Sequence, residues 1–350
     1  MPMSITLSYR IVAVVTGAVI AAGVHALAPQ AGTSTADSRP GNAAVLQQAI
    51  SADAQAATVR YWTTGRMAAT LRASDGPTAA KRRLVKQPAR VPAGPGPWLT
   101  GDTAGRGLRV TRDGAVTDAV GKVFFTLDGA DYVCSGTLVG GKRPDIVLTA
   151  AHCVSGGTGR DGTPDWATNW MFVPGFRDGQ SPDGEYTARR FFVAPDWTGP
   201  TGDSEQYDVA FVRITAATLY GGSGAAAPPP GLPMAFASKQ DAAPADRAYV
   251  FGYPALPPYA GLYPNYCAGP VTAADGSAAT PCRMTAGDSG GPWLAGFNPL
   301  QGTGTVVAVS TYKISRNQSV LYGAVLGPQA RALHARALHA RALHARALHA

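Results

Sequence analysis

The chain has 350 residues, enough for one large domain or two smaller ones. Its 42 glycines and 28 prolines argue against a helical bundle and favour a β protein with many turns. The net charge of +8 is uneven: residues 54–113 carry eleven basic and three acidic groups, whereas residues 114–330 carry thirteen basic and seventeen acidic ones. Because the basic excess lies outside the central part of the chain, we expect no nucleic-acid partner.

The first 28 residues have the pattern of a secretory signal peptide. Arg10 precedes an apolar run over residues 11–24, and the small-residue sequence Ala26-Leu27-Ala28 follows it. Fourteen residues are too few for a membrane-spanning helix, which needs about 20. The pattern predicts a secreted, extracellular protein with no membrane contact once the signal peptide is removed.

Residues 29–115 are predicted to form a pro-segment and linker. They are rich in Ala, Thr, Arg and Gly and contain no cysteine, and residues 43–59 favour a helix. A disordered spacer without a role is the alternative. The candidate processing points are Lys81-Arg82-Arg83 and Arg112, and we expect the secreted form to begin after residue 80.

Short apolar runs separated by turn signals dominate the chain from Lys122 onward. Six runs precede a Gly/Ala/Pro-rich break at residues 221–233, and six follow it. This pattern predicts an all-β domain over residues 116–330. It favours two six-stranded antiparallel β-barrels, at about 118–220 and 234–328.

The tail, residues 331–350, consists of four copies of Arg-Ala-Leu-His-Ala. Ala, Leu and Arg favour helix, so we predict a short C-terminal helix. A period of five does not match the 3.6 residues of a helical turn, so no continuous apolar stripe is expected. We therefore assign no function to the repeat tail.

The chain has four cysteines, and all of them lie within the predicted β domain: Cys134, Cys153, Cys267 and Cys282. An even number in a chain with a signal peptide indicates two disulfides. A metal site would need closely spaced pairs such as C-x-x-C, which the sequence lacks. We expect neither a metal ion nor another cofactor.

Three motifs supply the groups for nucleophilic catalysis by a serine. They are LTAAHCV at residues 148–154, YDVAFV at 207–212 and MTAGDSGGP at 284–292. The hydroxyl of Ser289 is a weak nucleophile that needs a base, and His152 is the only histidine of the β domain. Asp208 would fix the tautomer of that histidine, and the amides of Gly287 and Ser289 would stabilise an oxyanion.

In the order His, Asp, Ser, these motifs resemble the trypsin/chymotrypsin family of serine peptidases, and the flanking segments resemble its exported bacterial members. TAAHC and GDSGGP match the family's signatures almost letter for letter, and the resemblance covers residues 118–330. It implies an active site in the cleft between the two barrels, with His152, Asp208 and Ser289 as catalytic triad. The implied function is that of a secreted, monomeric serine endopeptidase that acts on proteins or peptides through an acyl-enzyme intermediate. A catalytically silent binding protein and an esterase on the same scaffold are the alternatives.

The resemblance also implies supporting roles for other residues. The disulfides would be Cys134–Cys153, beside the histidine, and Cys267–Cys282. Ser310 would contact the catalytic aspartate. Asp288 would be a buried carboxylate whose cationic partner shapes the oxyanion hole, either a new N-terminal amine or an arginine.

Arg283 stands where the family places the floor of the primary specificity pocket, six residues before Ser289. An arginine there would favour acidic substrate side chains through a bidentate contact. The alternative is that Arg283 points to solvent, because Cys282 lies farther from the nucleophile than in vertebrate members. Tyr312 and Tyr322 would line the pocket walls in either case.

Overall fold

The computed structural model describes residues 35–36, 45–74, 105–142, 144–159, 162–200, 202–217, 227–239, 243–274 and 276–347. The predicted signal peptide and the processing point at residues 81–83 lie outside these ranges. The helices are α1 (Ala52–Tyr61), α2 (Thr64–Ser74), α3 (Ala115–Ala119) and α4 (Pro328–Ala347). The strands are β1 (Thr35–Ala36), β2 (Leu46–Ala49), β3 (Leu108–Arg109), β4 (Val120–Leu127), β5 (Ala130–Leu138), β6 (Ile146–Thr149), β7 (Ser155–Thr158), β8 (Pro164–Trp166), β9 (Thr168–Pro174), β10 (Tyr186–Val193), β11 (Ala210–Ala216), β12 (Arg247–Gly252), β13 (Asn265–Pro270), β14 (Thr272–Ala274), β15 (Ser277–Pro281), β16 (Pro292–Asn298), β17 (Thr303–Ile314) and β18 (Asn317–Val325).

The first half of the β domain forms a closed, six-stranded antiparallel barrel. Its strand order is β10-β11-β6-β5-β4-β9, and β9 closes the barrel by pairing with β10. Every residue of β4 is buried, and Phe124, Phe172 and Phe211 pack in the core. Apolar side chains of short strands therefore fill the interior, as the runs in the sequence predict.

The second half forms an antiparallel sheet in the order β14-β15-β18-β17-β16-β12-β13-β3. Six of these strands correspond to the predicted second barrel, and β3 and β14 extend the sheet. Val250, Trp293 and Val325 pack in its core with the buried disulfide cysteines Cys267 and Cys282. The predicted all-β fold of two barrels is confirmed.

The N-terminal segment, residues 45–74, packs against the first barrel. Strand β2 pairs antiparallel with β10, and Trp62, Met67 and Leu71 are buried in the same core as the barrel strands. The helix predicted over residues 43–59 begins only at Ala52, because residues 46–49 pair with β10. Ser51 caps the start of that helix by accepting a hydrogen bond from the amide of Ala54 at 3.2 Å.

The predicted C-terminal helix is confirmed, and its first turns pack against the first barrel. Ala330, Leu333 and Ala337 are buried, whereas Leu338 is 42% exposed. The spacing of three and four residues lets these small and apolar residues share one face, although the whole repeat has no continuous apolar stripe. Among the described residues, no helix is both long and apolar enough to span a membrane.

Candidate active site between the two barrels

His152 lies in a short 3₁₀ turn, Ala151–Cys153, directly after β6 of the first barrel. The disulfide between Cys153 and Cys134 ties this turn to β5. Nδ1 of His152 lies 2.7 Å from one carboxylate oxygen of Asp208, and the amide of His152 donates to the other oxygen at 2.8 Å. This two-point contact orients the ring and favours the tautomer with its proton on Nδ1. Nε2 is then the nitrogen that can accept a proton.

The histidine–aspartate pair is largely shielded from water. The side chains of His152 and Asp208 are 10% and 3% exposed. Asp208 stands just before β11, so the barrel holds its backbone in place. The hydrogen bond between the imidazole and the carboxylate is stronger in such a poorly solvated site than it would be at the surface.

Ser289 lies in a tight loop before β16 of the second barrel, and it reaches the first barrel through backbone contacts. Its carbonyl accepts a hydrogen bond from the amide of Ser135 at 2.7 Å, and Sγ of Cys153 lies 3.9 Å from the same carbonyl. The hydroxyl of Ser135 donates to the carbonyl of Gly287 at 2.8 Å. The loop therefore sits against the turn that carries His152. The hydroxyl of Ser289 makes no hydrogen bond to any described residue, His152 included.

Gly287 is a position where the loop needs glycine. Its φ is +102°, and a Cβ there would lie 2.7 Å from the carbonyl oxygen of Tyr253. Both the backbone conformation and the space therefore exclude a side chain.

Two backbone amides of this loop have no acceptor among the described residues, those of Gly287 and Ser289. The carbonyl of Ala286 accepts from the amide of Ala255 at 2.7 Å, and that of Asp288 accepts from Gly291 at 2.9 Å. In a trans peptide the following N–H points the opposite way from the carbonyl. Both amides therefore point away from these contacts and can donate to a negatively charged oxygen.

Ser310 differs from what the resemblance implies. Its hydroxyl accepts a hydrogen bond from the indole N–H of Trp293 at 3.1 Å, and within the described residues no hydrogen bond joins it to Asp208. The physical reason is that the fully buried indole of Trp293 needs an acceptor. The backbone of Ser310 does contact the site, because its carbonyl accepts from the amide of Gly290 at 2.7 Å.

Asp288 is buried as the resemblance implies, but it forms no ion pair with a described residue. The residue is 4% exposed, and Oδ2 has no hydrogen-bond partner among the described residues. Burial raises the pKa of Asp288 to about 7, although the charge of Lys313 opposes this shift. The amine of Lys313 donates to the carbonyls of Cys282 and Gln318, at 2.5 and 2.7 Å.

The predicted pocket residues are brought only partly together. The rings of Tyr312 and Tyr322 stack across β17 and β18 with their centroids 4.8 Å apart. Arg283 is exposed, and its amide donates to the carbonyl of Gly105 at 2.8 Å.

A possible metal-binding cluster beside the site consists of Cys134, His152 and Cys153, whose ligand atoms lie within 4.8 Å of one another. Both sulfurs belong to the disulfide, so they offer no thiolate to a metal ion.

The two disulfides join the pairs that the resemblance implies.

Two residues of the site are missed by the sequence motifs. Ser135 anchors the loop of Gly287 through its hydroxyl, which also accepts from the amide of Tyr253 at 2.8 Å. Glu205 is a buried carboxyl three residues before Asp208. Its position just before the aspartate motif, in a chain with only two glutamates, is the one signal that the sequence offers.

Comparison with known proteins identifies similar chains. A family model described as "Trypsin-like peptidase domain" matches residues 134–312. The structure of the protease Anisep from Arthrobacter nicotinovorans is similar with a TM-score of 0.52 and 32% identity, over 62% of this chain and 94% of that one. The thermostable serine protease AL20 from an extremophilic microorganism has a TM-score of 0.52 and 27% identity, over 62% and 95% of the two chains. No curated protein matches the sequence.

Proposed function

Because this chain belongs to the trypsin-like peptidase family and is a serine endopeptidase, we propose that it cleaves proteins outside the cell with Ser289, His152 and Asp208 as its catalytic triad. The observation that carries this proposal is the two-point contact of Asp208 with His152 beside the loop of Ser289. Ser289 supplies the nucleophile, His152 the base, and Asp208 the carboxylate that orients the base.

The proposed reaction proceeds through an acyl-enzyme. Ser289 attacks the carbonyl carbon of the scissile peptide bond while Nε2 of His152 accepts its proton, and Asp208 stabilises the resulting imidazolium. The amides of Gly287 and Ser289 donate hydrogen bonds to the oxyanion that develops on the substrate. His152 then passes the proton to the leaving amine. Water hydrolyses the ester on Ser289 with His152 again acting as base.

The proposal includes export of the chain as a precursor. The signal-peptide pattern and two disulfides support an extracellular site of action, since disulfides persist in oxidising compartments. Asp288 supports a precursor form. A buried carboxylate that ionises needs a cation, and this one has no ion pair among the described residues. The new N-terminal amine that processing would create is one cation that the resemblance implies for it.

The substrate preference at the scissile bond depends on the loop before Ser289. The exposure of Arg283 supports the alternative in which its side chain points to solvent. The stacked rings of Tyr312 and Tyr322 support a pocket wall of aromatic character.

Substitution of the triad tests the proposal. We expect Ser289→Ala and His152→Ala each to lower the turnover of dye-labelled casein by roughly 10⁵- to 10⁶-fold, because the triad acts as a unit. Asp208→Asn should cost about 10⁴-fold, since it favours the wrong imidazole tautomer. The matched controls are Ser315→Ala and His339→Ala, which change the same residue types at exposed positions and should retain full activity. Substantial casein hydrolysis by pure Ser289→Ala would refute the triad.

A further inference from the structure

Glu205 lies in the short 3₁₀ turn Gly202–Tyr207 that leads into Asp208. Its carbonyl accepts a hydrogen bond from the amide of Asp208 at 3.2 Å. The residue is only 8% exposed, although a glutamate is rarely buried without a partner. Two buried carboxyl groups thus lie three residues apart, and the second of them, Asp208, contacts His152.

The carboxyl of Glu205 is only partly satisfied by hydrogen bonds. Its Oε1 is shut off from water and has no partner among the described residues. The side chain of Tyr312, from β17 of the second barrel, hydrogen-bonds the carboxyl and stabilises its ionised form. Burial outweighs this contact and raises the pKa of Glu205 to about 7, so its charge changes near neutral pH.

The groups that face Glu205 come from three different elements. Asp208, directly after the turn that holds Glu205, raises the pKa of Glu205 through its negative charge, whereas His152, from the turn after β6, lowers that pKa. Tyr312 faces it from the second barrel. Asp288, the other buried carboxyl of the site, interacts with His152. Three carboxyl groups therefore interact with His152, and the proposed triad uses one of them.

We propose that Glu205 is a positioning residue of this site: its carboxylate, together with that of Asp208, stabilises the protonated form of His152 during catalysis. The inference rests on the proposed function of the triad. His152 is an imidazolium in the transition state, and its charge interacts with that of Glu205, so ionised Glu205 lowers the barrier. Protonated Glu205 gives no such stabilisation. Part of the activity should therefore follow the ionisation of Glu205.

The test compares the wild-type protein with Glu205→Gln, which has nearly the same shape but no charge. The measured quantity is kcat/KM on dye-labelled casein from pH 5.5 to 9, expressed as the ratio of wild type to variant. The ratio should be close to one below pH 6, where Glu205 is protonated and carries no charge in either protein. It should rise with a single ionisation near pH 7 and reach roughly tenfold above pH 8, the size expected for one charge that interacts with the imidazolium in a partly buried site.

Two further variants control the comparison. Glu185→Gln changes the chain's other glutamate, whose carboxylate accepts from the hydroxyl of Ser181, and should give a ratio of one at every pH. Glu205→Asp keeps the charge on a shorter side chain and should restore the pH-dependent part. The thermal midpoint of Glu205→Gln above pH 7 should equal or exceed that of the wild type, because the variant no longer buries a charge.

A ratio that does not change with pH, whether one or larger, would overturn the role of Glu205. So would a Glu205→Asp variant that behaves like Glu205→Gln. Ser289→Ala, run in the same assay, separates this outcome from failure of the proposed function. If Ser289→Ala hydrolyses casein, the triad is wrong; if it is inactive while the ratio is flat, only the inference about Glu205 falls.

Discussion

Trp62 offers the sharpest test of whether residues 45–74 belong to the folded peptidase. It is 3% exposed, its ring contacts that of Phe124 in β4, and its indole N–H donates to the carbonyl of Asn169. A buried Trp side chain covers about 200 Å², which corresponds to about 5 kcal/mol of hydrophobic stabilisation. Alanine keeps part of that burial but leaves the carbonyl of Asn169 without its donor. We expect Trp62→Ala to lower the free energy of unfolding by about 3–5 kcal/mol.

Urea unfolding, followed by tryptophan fluorescence and circular dichroism in a Ser289→Ala background that prevents self-digestion, measures this loss. With an m value of about 2 kcal/mol per molar urea, the midpoint should fall by about 1.5–2.5 M. Arg60→Ala is the matched control, since Arg60 is an exposed residue of α1, which ends directly before Trp62, and its replacement should change stability by less than about 0.5 kcal/mol. If Trp62→Ala costs less than about 1 kcal/mol, the segment is not part of the cooperative core and the reasoning is refuted.

Two further predictions concern the tail and the buried carboxyl of Asp288. In the repeat tail, Leu333→Ala should cost about 2–4 kcal/mol in urea unfolding, whereas Leu338→Ala should cost less than about 0.5 kcal/mol; equal losses would show that the helix does not dock as described. The carboxyl of Asp288 has its pKa raised from 3.8 to about 7, so between these values the folded protein holds a proton that the unfolded chain releases. Stability should therefore fall as pH rises from 4.5 to 7.5, and Asp288→Asn should reduce that fall; an unchanged pH dependence in Asp288→Asn would contradict the assignment.

The β architecture was predictable because short apolar runs between turns have few other folded solutions. The six runs before the break correspond to a closed barrel between Val120 and Ala216, and the runs after it correspond to the second sheet. The local pattern predicts these strands because a strand that buries one face has alternating apolar residues, and a strand that buries both faces is a short apolar run.

The N-terminal segment shows what local pattern does not carry. Its basic, cysteine-free composition predicts a pro-segment, and in the structure β2 pairs with β10 and Trp62 enters the core of the barrel. The paired residues of β2 and β10 lie more than one hundred positions apart, and no periodicity within the segment reveals these contacts. Removal of the segment would expose Phe124, which the ring of Trp62 contacts, and the edge of β10 that pairs with β2.

The candidate site also contains residues that the sequence predicts and residues that only the structure reveals. The histidine, aspartate and serine motifs are recognisable because each is a contiguous run of residues. Glu205, Ser135 and the contact of Ser310 with Trp293 depend on tertiary packing, in which the nearest partner in space comes from another strand. The exposure of Arg283 likewise follows from how residues 282–286 pack after the second disulfide, which spacing alone leaves open.

Active-site labelling tests the central claim most directly. The purified protein should react with a fluorophosphonate probe at one site, and peptide mapping should place the adduct on Ser289 with parallel loss of casein hydrolysis. Ser289→Ala and His152→Ala should both fail to react at neutral pH, because one lacks the nucleophile and the other the base. Casein hydrolysis that persists in a protein fully labelled on Ser289, or an adduct on a different residue, would contradict the account.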